Sequence, residues 1–388
     1  MVSCGSSPRN ETKQFSIAHA HDNSFPTFHS NLEDNAKVSI KDVICGPTST
    51  AITLSDNTAF TFGSNKHSEL GHGHKDDVTV PTLLSPPDST SLHHNEISKI
   101  ALGSKFSAII DNKGDLYTFG YNGSVIKNGS GCLGLGYEQE YAEVPTLVRS
   151  LVEDGCFATD VIVGDSHMVV LTKDGEVLTT GGAAWGRLGN LEPDDQAFLE
   201  PVEMLAGEDI CQLSGGDEYS LALTSDGVVL AWGKNHKGQC GTGSSMSVDM
   251  YAMEIMPQPV EGMMEGQQVV KISGGHSHAA AVTDKGELFW WGSALHLTPE
   301  LAPNLAHTKI VDVACGKDFT IALDEEGKLF SFGKGKTGVL GLADEKKALV
   351  PTLVEGMLGK KVVKIDAGWS HVACIVEEMM DGEVTETQ

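Results

Sequence analysis

Residues 331–341 read SFGKGKTGVLG, with Gly333, Gly335 and Gly338 in a G-x-G-x-x-G spacing and the pair Lys336–Thr337 between them. Glycines so spaced let backbone N–H groups close around phosphate oxygens at a helix N-terminus, which is the chemistry of a nucleotide site. A second stretch, ELGHGHKDD at 69–77, groups His72, His74, Asp76 and Asp77 as candidate metal ligands. Histidines alternating with carboxylates in an exposed turn commonly hold no metal, and we expect neither a metal nor a cofactor. No serine elbow with a coherent triad order and no helical H-E-x-x-H pair occurs, so hydrolysis by a nucleophile or a metal has no support.

The surroundings of the first stretch argue against phosphate. Gly333 and Gly341 repeat as Gly63 and Gly71, Gly181 and Gly189, and Gly233 and Gly241, always 8 residues apart. In that register Gly335 stands where Asn65, Ala183 and Asn235 stand elsewhere. The residue five before Gly335 is Phe330, which breaks the phosphate-loop pattern, and LADEKKALVPTLV returns to a proline instead of opening a βαβ unit. The stretch is expected to be a turn between hairpins.

That register is part of a repeat along the whole chain. Leading glycines at Gly46, Gly103, Gly164, Gly216, Gly275 and Gly316 are followed 17 residues later by Gly63, Gly120, Gly181, Gly233, Gly292 and Gly333. Between them, 11 residues after the first, stand Gly114, Gly175, Gly227, Gly286 and Gly327, with Asn57 in the first unit. Asp-Gly, Lys-Gly and Glu-Gly turns flanked by short apolar runs read as β-hairpins, because glycine or asparagine accepts the positive φ such turns need. A seventh unit opens at Gly368 without a closing glycine, while QFSIAHAHDNSFPTFHS near the N-terminus supplies its missing half, aligning Pro26–Thr27 with Pro81–Thr82, Pro145–Thr146 and Pro351–Thr352. Strands from both ends of the chain would then complete one sheet and leave no open edge. The second unit carries an insertion around 121–133, and the fifth lacks its long turn.

Composition limits the partners. The chain of 388 residues is 40% apolar and carries 27 basic against 53 acidic residues, a net charge of −26. A nucleic-acid binder neutralises phosphates with lysine and arginine, so direct binding of DNA or RNA is not expected. The eight cysteines form no C-x-x-C pair, and no apolar run is long enough to cross a membrane. We expect an intracellular soluble protein of the cytoplasm or nucleus, acting as a monomer without membrane insertion.

The pattern G-x-x-H…DG-x-L-x-x-x-G…LG-x-G…P-x-x-V resembles the repeat of the regulator of chromosome condensation family, from about Phe15 to Val384. The resemblance implies an all-β fold: a seven-bladed β-propeller of four-stranded blades, spanning 15–384, between a short segment 1–14 and the end 385–388. The founding member of that family is a guanine-nucleotide exchange factor for the Ran-type small GTPase, and relatives include ubiquitin-ligase modules and a plant UV-B photoreceptor. This chain resembles a divergent relative, since Ser104 replaces an aspartate of the second unit, Ser166 replaces one of the third (with Asp165 adjacent), and residues 1–14 hold only Arg9 and Lys13 as basic residues. His278 stands for the family's histidine.

The sites follow from the slots after each leading glycine. Their first two positions vary most, and variation on a fixed scaffold is what a binding face shows: Ser104 and Lys105, Asp165 and Ser166, Asp217 and Glu218, His276, Asp318, and Trp369 as an aromatic anchor. With His278 these are the partner-binding candidates, while Gly46, Gly103, Gly164, Gly216, Gly275, Gly316 and Gly368 are structural. The third position holds His167, His278 and His371, but Phe106, Tyr219 and Phe319 fill it in other units, which favours a structural role for the histidines there. Trp232, Trp290 and Trp291 end hairpin strands, where burial is expected, so ultraviolet sensing is a remote alternative. The leading expectation is an interaction propeller that binds a protein partner, with a small GTPase the most specific candidate. The alternative is nucleotide exchange on such a GTPase.

Overall fold

The structure, a computed structural model, describes residues 39–84, 97–123, 130–243, 252–260, 262–335, 338–343 and 345–377 in full, and the backbone of Lys13–His19 and Thr27–Phe28. Most of the segment 1–14, the end 385–388, Pro26, the middle of the insertion at 124–129 and the pair Lys336–Thr337 lie outside the described residues. The repeat unit folds as a four-stranded antiparallel sheet, and six such blades are each built from four consecutive strands. Their innermost strands are Ile40–Cys45, Ile97–Leu102, Ala158–Val163, Ile210–Gly215, Val269–Gly274 and Ile310–Cys315. A further sheet draws on both chain ends: Lys361–Ala367 pairs with His371–Glu377, which pairs with Lys13–His19, which pairs with Thr27–Phe28. The expected joining of the two ends is therefore present, as a sheet of a different make from the six. Lys13–His19 begins two residues before the expected boundary at 15.

The apolar runs of the sequence occupy the second strand of each blade. Ser49–Leu54, Phe106–Asp111, His167–Thr172, Tyr219–Thr224, His278–Thr283 and Phe319–Asp324 are buried at every residue, since neighbouring blades cover both faces of the sheet. Trp232 and Trp291 are fully buried, as their position at strand ends predicts, whereas Trp290 is half-buried. The hairpin glycines adopt positive φ, from 81° at Gly286 to 91° at Gly114, and Asn57 takes φ 61° in the first unit. Where the fifth unit lacks its long turn, Ser293 (φ 53°) and Ala294 (φ 59°) carry the chain straight into the outer strand His296–Leu301. No helix among the described residues is long and apolar enough to cross a membrane.

The innermost strands touch one another in ring order, and Lys361–Ala367 lies against both Ile310–Cys315 and Ile40–Cys45. Each ladder to the second strand slips near its start, for example between Ala158 and Asp160 and between Ile310 and Asp312. Such a bulge re-aims the next side chain. Here that side chain, four residues before the leading glycine, often reaches the adjacent inner strand: Lys99–Asp160 at 2.7 Å, Lys271–Asp312 at 3.2 Å and Lys364–Asp42 at 2.7 Å. In the fourth unit Gln212 takes this role, donating to the Ile272 carbonyl at 2.9 Å and accepting its amide at 3.1 Å. These polar links fix the angular register of the blades, while each partly exposed ion pair adds at most about 1 kcal/mol of stability.

Of the SFGKGKTGVLG stretch, residues 331–334 end the third strand Leu329–Lys334 of the sixth blade, and Gly335 opens the connection to the outer strand Lys347–Leu353. Gly335 donates its N–H to the Lys346 carbonyl at 2.9 Å, and a Cβ on it would lie 2.4 Å from Leu340 Cγ. It is a packing glycine against leucine. In the matching turns Asn65 and Asn235 fill the slot and accept the amides of Leu70 and Cys240 at 2.9 and 3.0 Å.

Candidate protein-interaction face

At the top of every innermost strand the leading glycine donates its N–H to the carbonyl three residues on, as in Gly164 to His167 (2.9 Å) and Gly275 to His278 (2.8 Å). The two residues between are thereby lifted out of the ladder. This local geometry displays the variable pairs on one end of the ring and points their differences at one surface. Neighbouring loops are tied together by backbone bonds from Asp165 N–H to the Asp217 carbonyl (2.9 Å), His276 N–H to the Gly316 carbonyl (3.2 Å) and Trp369 N–H to the Pro47 carbonyl (3.1 Å). They surround a cavity of about 110 Å³ at the ring axis, walled by leading glycines with Asp165, Asp217, His276 and Trp369 on its rim.

The candidate residues fall into three groups. Asp165 accepts from Ser104 Oγ at 3.0 Å and from Lys105 Nζ at 2.8 Å. Burial alone would raise its carboxyl, but these two donors outweigh it and hold the group below the usual carboxylate range. Glu218 pairs with Lys234 Nζ and lies 3.7 Å from Arg187 Nη2, while Arg187 Nη1 donates to Ser166 Oγ at 2.5 Å. Asp217 faces His276, at 3.6 Å. Burial raises its carboxyl, His276 opposes this, and the charges of Asp165 and Glu218 add to the rise. The His276 ring in turn meets Trp369 edge-on at 5.3 Å, and Lys317 Nζ lies 4.9 Å from the indole centre. Asp318 is exposed beside them.

His278, named with the partner-binding candidates, lies inside the ring in the structural role that the third slot suggested. It is 3% exposed, and its Nε2 lies 2.9 Å from Thr320 Oγ1 of the next blade. His167 meets Ser220 at 2.9 Å and His371 meets Thr50 at 3.0 Å in the same way. The third-slot histidines therefore staple one blade to the next and lie beneath the binding face. Burial depresses His167 to about 3, with Arg187 assisting, and His278 to about 4. The ELGHGHKDD residues serve their own turn: His72 Nε2 is 2.9 Å from Thr61 Oγ1, Asn65 donates to the His74 carbonyl at 2.8 Å, and Asp77 accepts the Asn65 amide at 2.9 Å.

Four contributors escaped the sequence reading: Arg187 and Lys234, which neutralise Glu218, and the rings of Trp185 and His236, which pack edge-on at 4.7 Å. All four come from the turns after the closing glycines Gly181 and Gly233. The aligned turns TTGGAAWGRLG and AWGKNHKGQCG held the signal, since they end their strands on the same side of the sheet as the leading-glycine loops, as the pairing of His167 with Gly181 requires.

Comparison with known proteins adds the following. A family model described as RCC1-like domain matches residues 1–374. The chain is 28% identical over 316 residues to the human (Homo sapiens) E3 ubiquitin-protein ligase HERC2, covering 76% of this chain and 6% of that protein. It is 31% identical over 260 residues to the Ultraviolet-B receptor UVR8 of Arabidopsis thaliana, covering 64% of this chain and 57% of that one. It is 30% identical over 304 residues to the Secretion-regulating guanine nucleotide exchange factor of Bos taurus, covering 74% and 62%. The matches thus span less than two thirds of these relatives' own lengths. Among solved structures, human WBSCR16 superposes with a TM-score of 0.78 at 20% identity over 95% of this chain and 99% of that one. Prp20p of Saccharomyces cerevisiae, described with its binding to Gsp1p and histones, gives 0.76 at 18% identity over 96% and 93%. At these identities the structures speak for the fold alone.

Proposed function

The chain belongs to the RCC1-like domain family, and from that membership and the loop geometry we propose that it is a protein-interaction propeller whose leading-glycine face takes a protein partner, with a small GTPase the most specific candidate. The observation that carries the reading is the convergence of Asp165, Asp217, His276 and Trp369 on one axial rim from four different blades. A rigid ring with variable side chains at its mouth is a recognition surface. We count the sheet made from both chain ends as a seventh blade of a unit spanning 15–384, supported by the contacts of Lys361–Ala367 with the inner strands on either side. An intracellular, monomeric protein fits this reading, and the free thiols of Cys132, Cys240 and Cys315, all buried, suit a reducing compartment.

Nucleotide exchange is the second reading, favoured by the relative named as a secretion-regulating guanine nucleotide exchange factor. It would need acidic side chains free to enter the partner's phosphate-binding region. Asp165 and Glu218 are each neutralised by a lysine of this chain, which leaves Asp217, facing His276, and the exposed Asp318 as the less neutralised acids. We therefore expect a Ran-type GTPase to bind without preference for its nucleotide-free form, and micromolar protein to leave the release of fluorescent GDP unchanged. Accelerated release that is lost in Asp217→Ala would replace the interaction reading with exchange.

A further inference from the structure

The turn that follows a closing glycine covers part of the next blade. It carries a Leu-Gly-x-Gly motif at 70–73 and 133–136, and Cys-Gly-Thr-Gly at 240–243. The first glycine of the motif packs on a ring of the next blade: a Cβ on Gly71 would lie 3.0 Å from Phe119, and one on Gly241 would lie 2.8 Å from Trp291. The second glycine reaches further out and donates its N–H to the outer strand. Gly73 bonds the Glu143 carbonyl at 2.9 Å, Gly136 that of Ala197 at 3.0 Å, and Gly243 that of Leu297 at 3.2 Å. Each acceptor directly follows the residue that pairs with the closing glycine of its own blade. In the sixth blade that slot belongs to Leu349, after Ala348 opposite Gly333.

The fifth unit, which should cover Leu349, has no such turn: Gly292 leads through Ser293 and Ala294 into His296–Leu301. Trp290 fills the inner half of the space. Other units place Thr61, Thr118, Thr179, Ala231 and Ser331 there, and Thr61, Thr118 and Ser331 donate to the carbonyls of Leu70, Leu133 and Leu340 at 2.9, 2.8 and 2.7 Å. The indole meets Phe332 edge-on at 5.5 Å, the ring that corresponds to Phe119 and Trp291, and meets His296 edge-on at 4.6 Å. The outer half stays open. Among the described residues no turn amide donates to the Leu349 carbonyl. The Leu349 side chain is 72% exposed, against 47% for Ile255 and 4% for Ala197 in the same slot.

We propose that this gap between the fifth and sixth blades is a docking site for an extended, glycine-bearing segment of a partner protein, which supplies in trans the turn that the fifth unit lacks. The other junctions define the occupant. Where the chain crosses the outer strand it comes within hydrogen-bonding reach of a carbonyl at a φ of 78° (Gly73), 81° (Gly136) or 73° (Gly243), a conformation that glycine accepts. The same backbone bond to Leu349 would fix the segment, and an aliphatic side chain beside the glycine would lie on Leu349 and the half-buried indole of Trp290. Charges of both signs border the gap, with Lys334 opposite Lys347 and Glu300 opposite Trp290, so shape and not charge selects the segment. No residue of the axial rim takes part.

A library of short random peptides displayed on phage and panned on the full chain tests the proposal. Enriched peptides are expected to share a glycine next to Leu, Ile, Val or Met. Their synthetic copies should slow amide hydrogen–deuterium exchange at 347–353 and leave the axial loops at 165–166 and 217–218 unchanged. Leu349→Glu should weaken their binding at least about tenfold. Glu143 occupies the same slot in the second blade, so this variant is expected to melt as the parent does. Enriched peptides without glycine, no enrichment, protection confined to the axial loops, or unchanged binding to Leu349→Glu would each overturn the proposal. Two further results would do the same. Leu349→Glu melting well below the parent would make the leucine part of the blade's own packing, and a parent dimer that Leu349→Glu turns into a monomer would give the gap to a second copy of the chain.

Discussion

Gly216→Ala is expected to destabilise the protein by about 3 kcal/mol or more, although Gly216 lies in a backbone region open to alanine. The added Cβ would lie 2.0 Å from the Gly275 carbonyl oxygen and 2.3 Å from Tyr219 Cε1. Neither neighbour can withdraw: the carbonyl belongs to the next blade's leading glycine, and Tyr219 is fully buried with its hydroxyl donating to that same carbonyl at 3.1 Å. The same crowding recurs around the axis, where a Cβ on Gly368 would lie 2.2 Å from the Gly46 oxygen and one on Gly275 would lie 2.4 Å from the Gly316 oxygen. Gly175→Ala is the contrasting case. Its φ of 85° strains alanine, but nothing lies within 4 Å of the new Cβ, so the cost should stay near ~1 kcal/mol. Urea unfolding of the two variants checks this order, and equal losses would mean that the leading glycines are ordinary turn residues.

Acid is the second large effect. His167 and His278 titrate near 3 and 4 in the folded chain, against about 6.5 when unfolded. Because the folded values are depressed, the contribution is complete above about pH 6.5 and is lost as the pH falls below it. At pH 5 each histidine should have surrendered roughly 2 kcal/mol. Asp366 acts in the opposite sense: burial lifts its carboxyl to about 6 while it accepts the amides of Cys45 (2.6 Å) and Ala367 (2.9 Å). Its folded value is raised, so protonation below that value returns about 1 kcal/mol by pH 5. The net loss between pH 7 and pH 5 should be about 2–3 kcal/mol. His278→Phe alone should cost about 1–2 kcal/mol at pH 7, because Thr320 loses its imidazole partner in the core. Adding Thr320→Val should recover much of that, and the double variant should fall less between pH 7 and pH 5 than the parent. A double variant as acid-sensitive as the parent would remove His278 from the account.

That exchange of partners is already written in the repeat. His167, His278 and His371 face Ser220, Thr320 and Thr50 of the next unit, whereas Phe106, Tyr219 and Phe319 precede units that carry Met168, Ala279 and Val372 in that slot. A histidine thus goes with a hydroxyl and an aromatic ring with an apolar or small residue, a correlation the sequence holds but which acquires meaning only when adjacent units are known to touch there. The hairpins and their register were legible because asparagine or glycine at the turn is a local requirement. The leading glycines were legible as positions but not as causes: the closing glycines take positive φ, such as 112° at Gly333, while the leading ones are fixed by the approach of the next blade. The inner ring of lysine–aspartate links was hidden, since its members lie on different units and depend on a bulge for their direction. Trp185 was hidden for the same kind of reason, as its partners Lys234 and His236 belong to the neighbouring unit.

Of the candidate site, the variable loop pairs were found from their alternation against fixed glycines, and the structure brings them to one mouth. Their charges could not be read singly. Asp165, Asp217 and Glu218 look alike in sequence, yet Lys105 neutralises the first, Lys234 and Arg187 the third, and His276 faces the second.

The most direct test of the interaction face is amide hydrogen–deuterium exchange of the full chain with and without a bound Ran-type GTPase. The account predicts added protection in the leading-glycine loops at 104–105, 165–166, 217–218 and 369–370, with the hairpin turns at 56–57, 174–175 and 226–227 on the opposite end of the ring unchanged. Protection confined to those hairpin turns, or no complex at all, would contradict it.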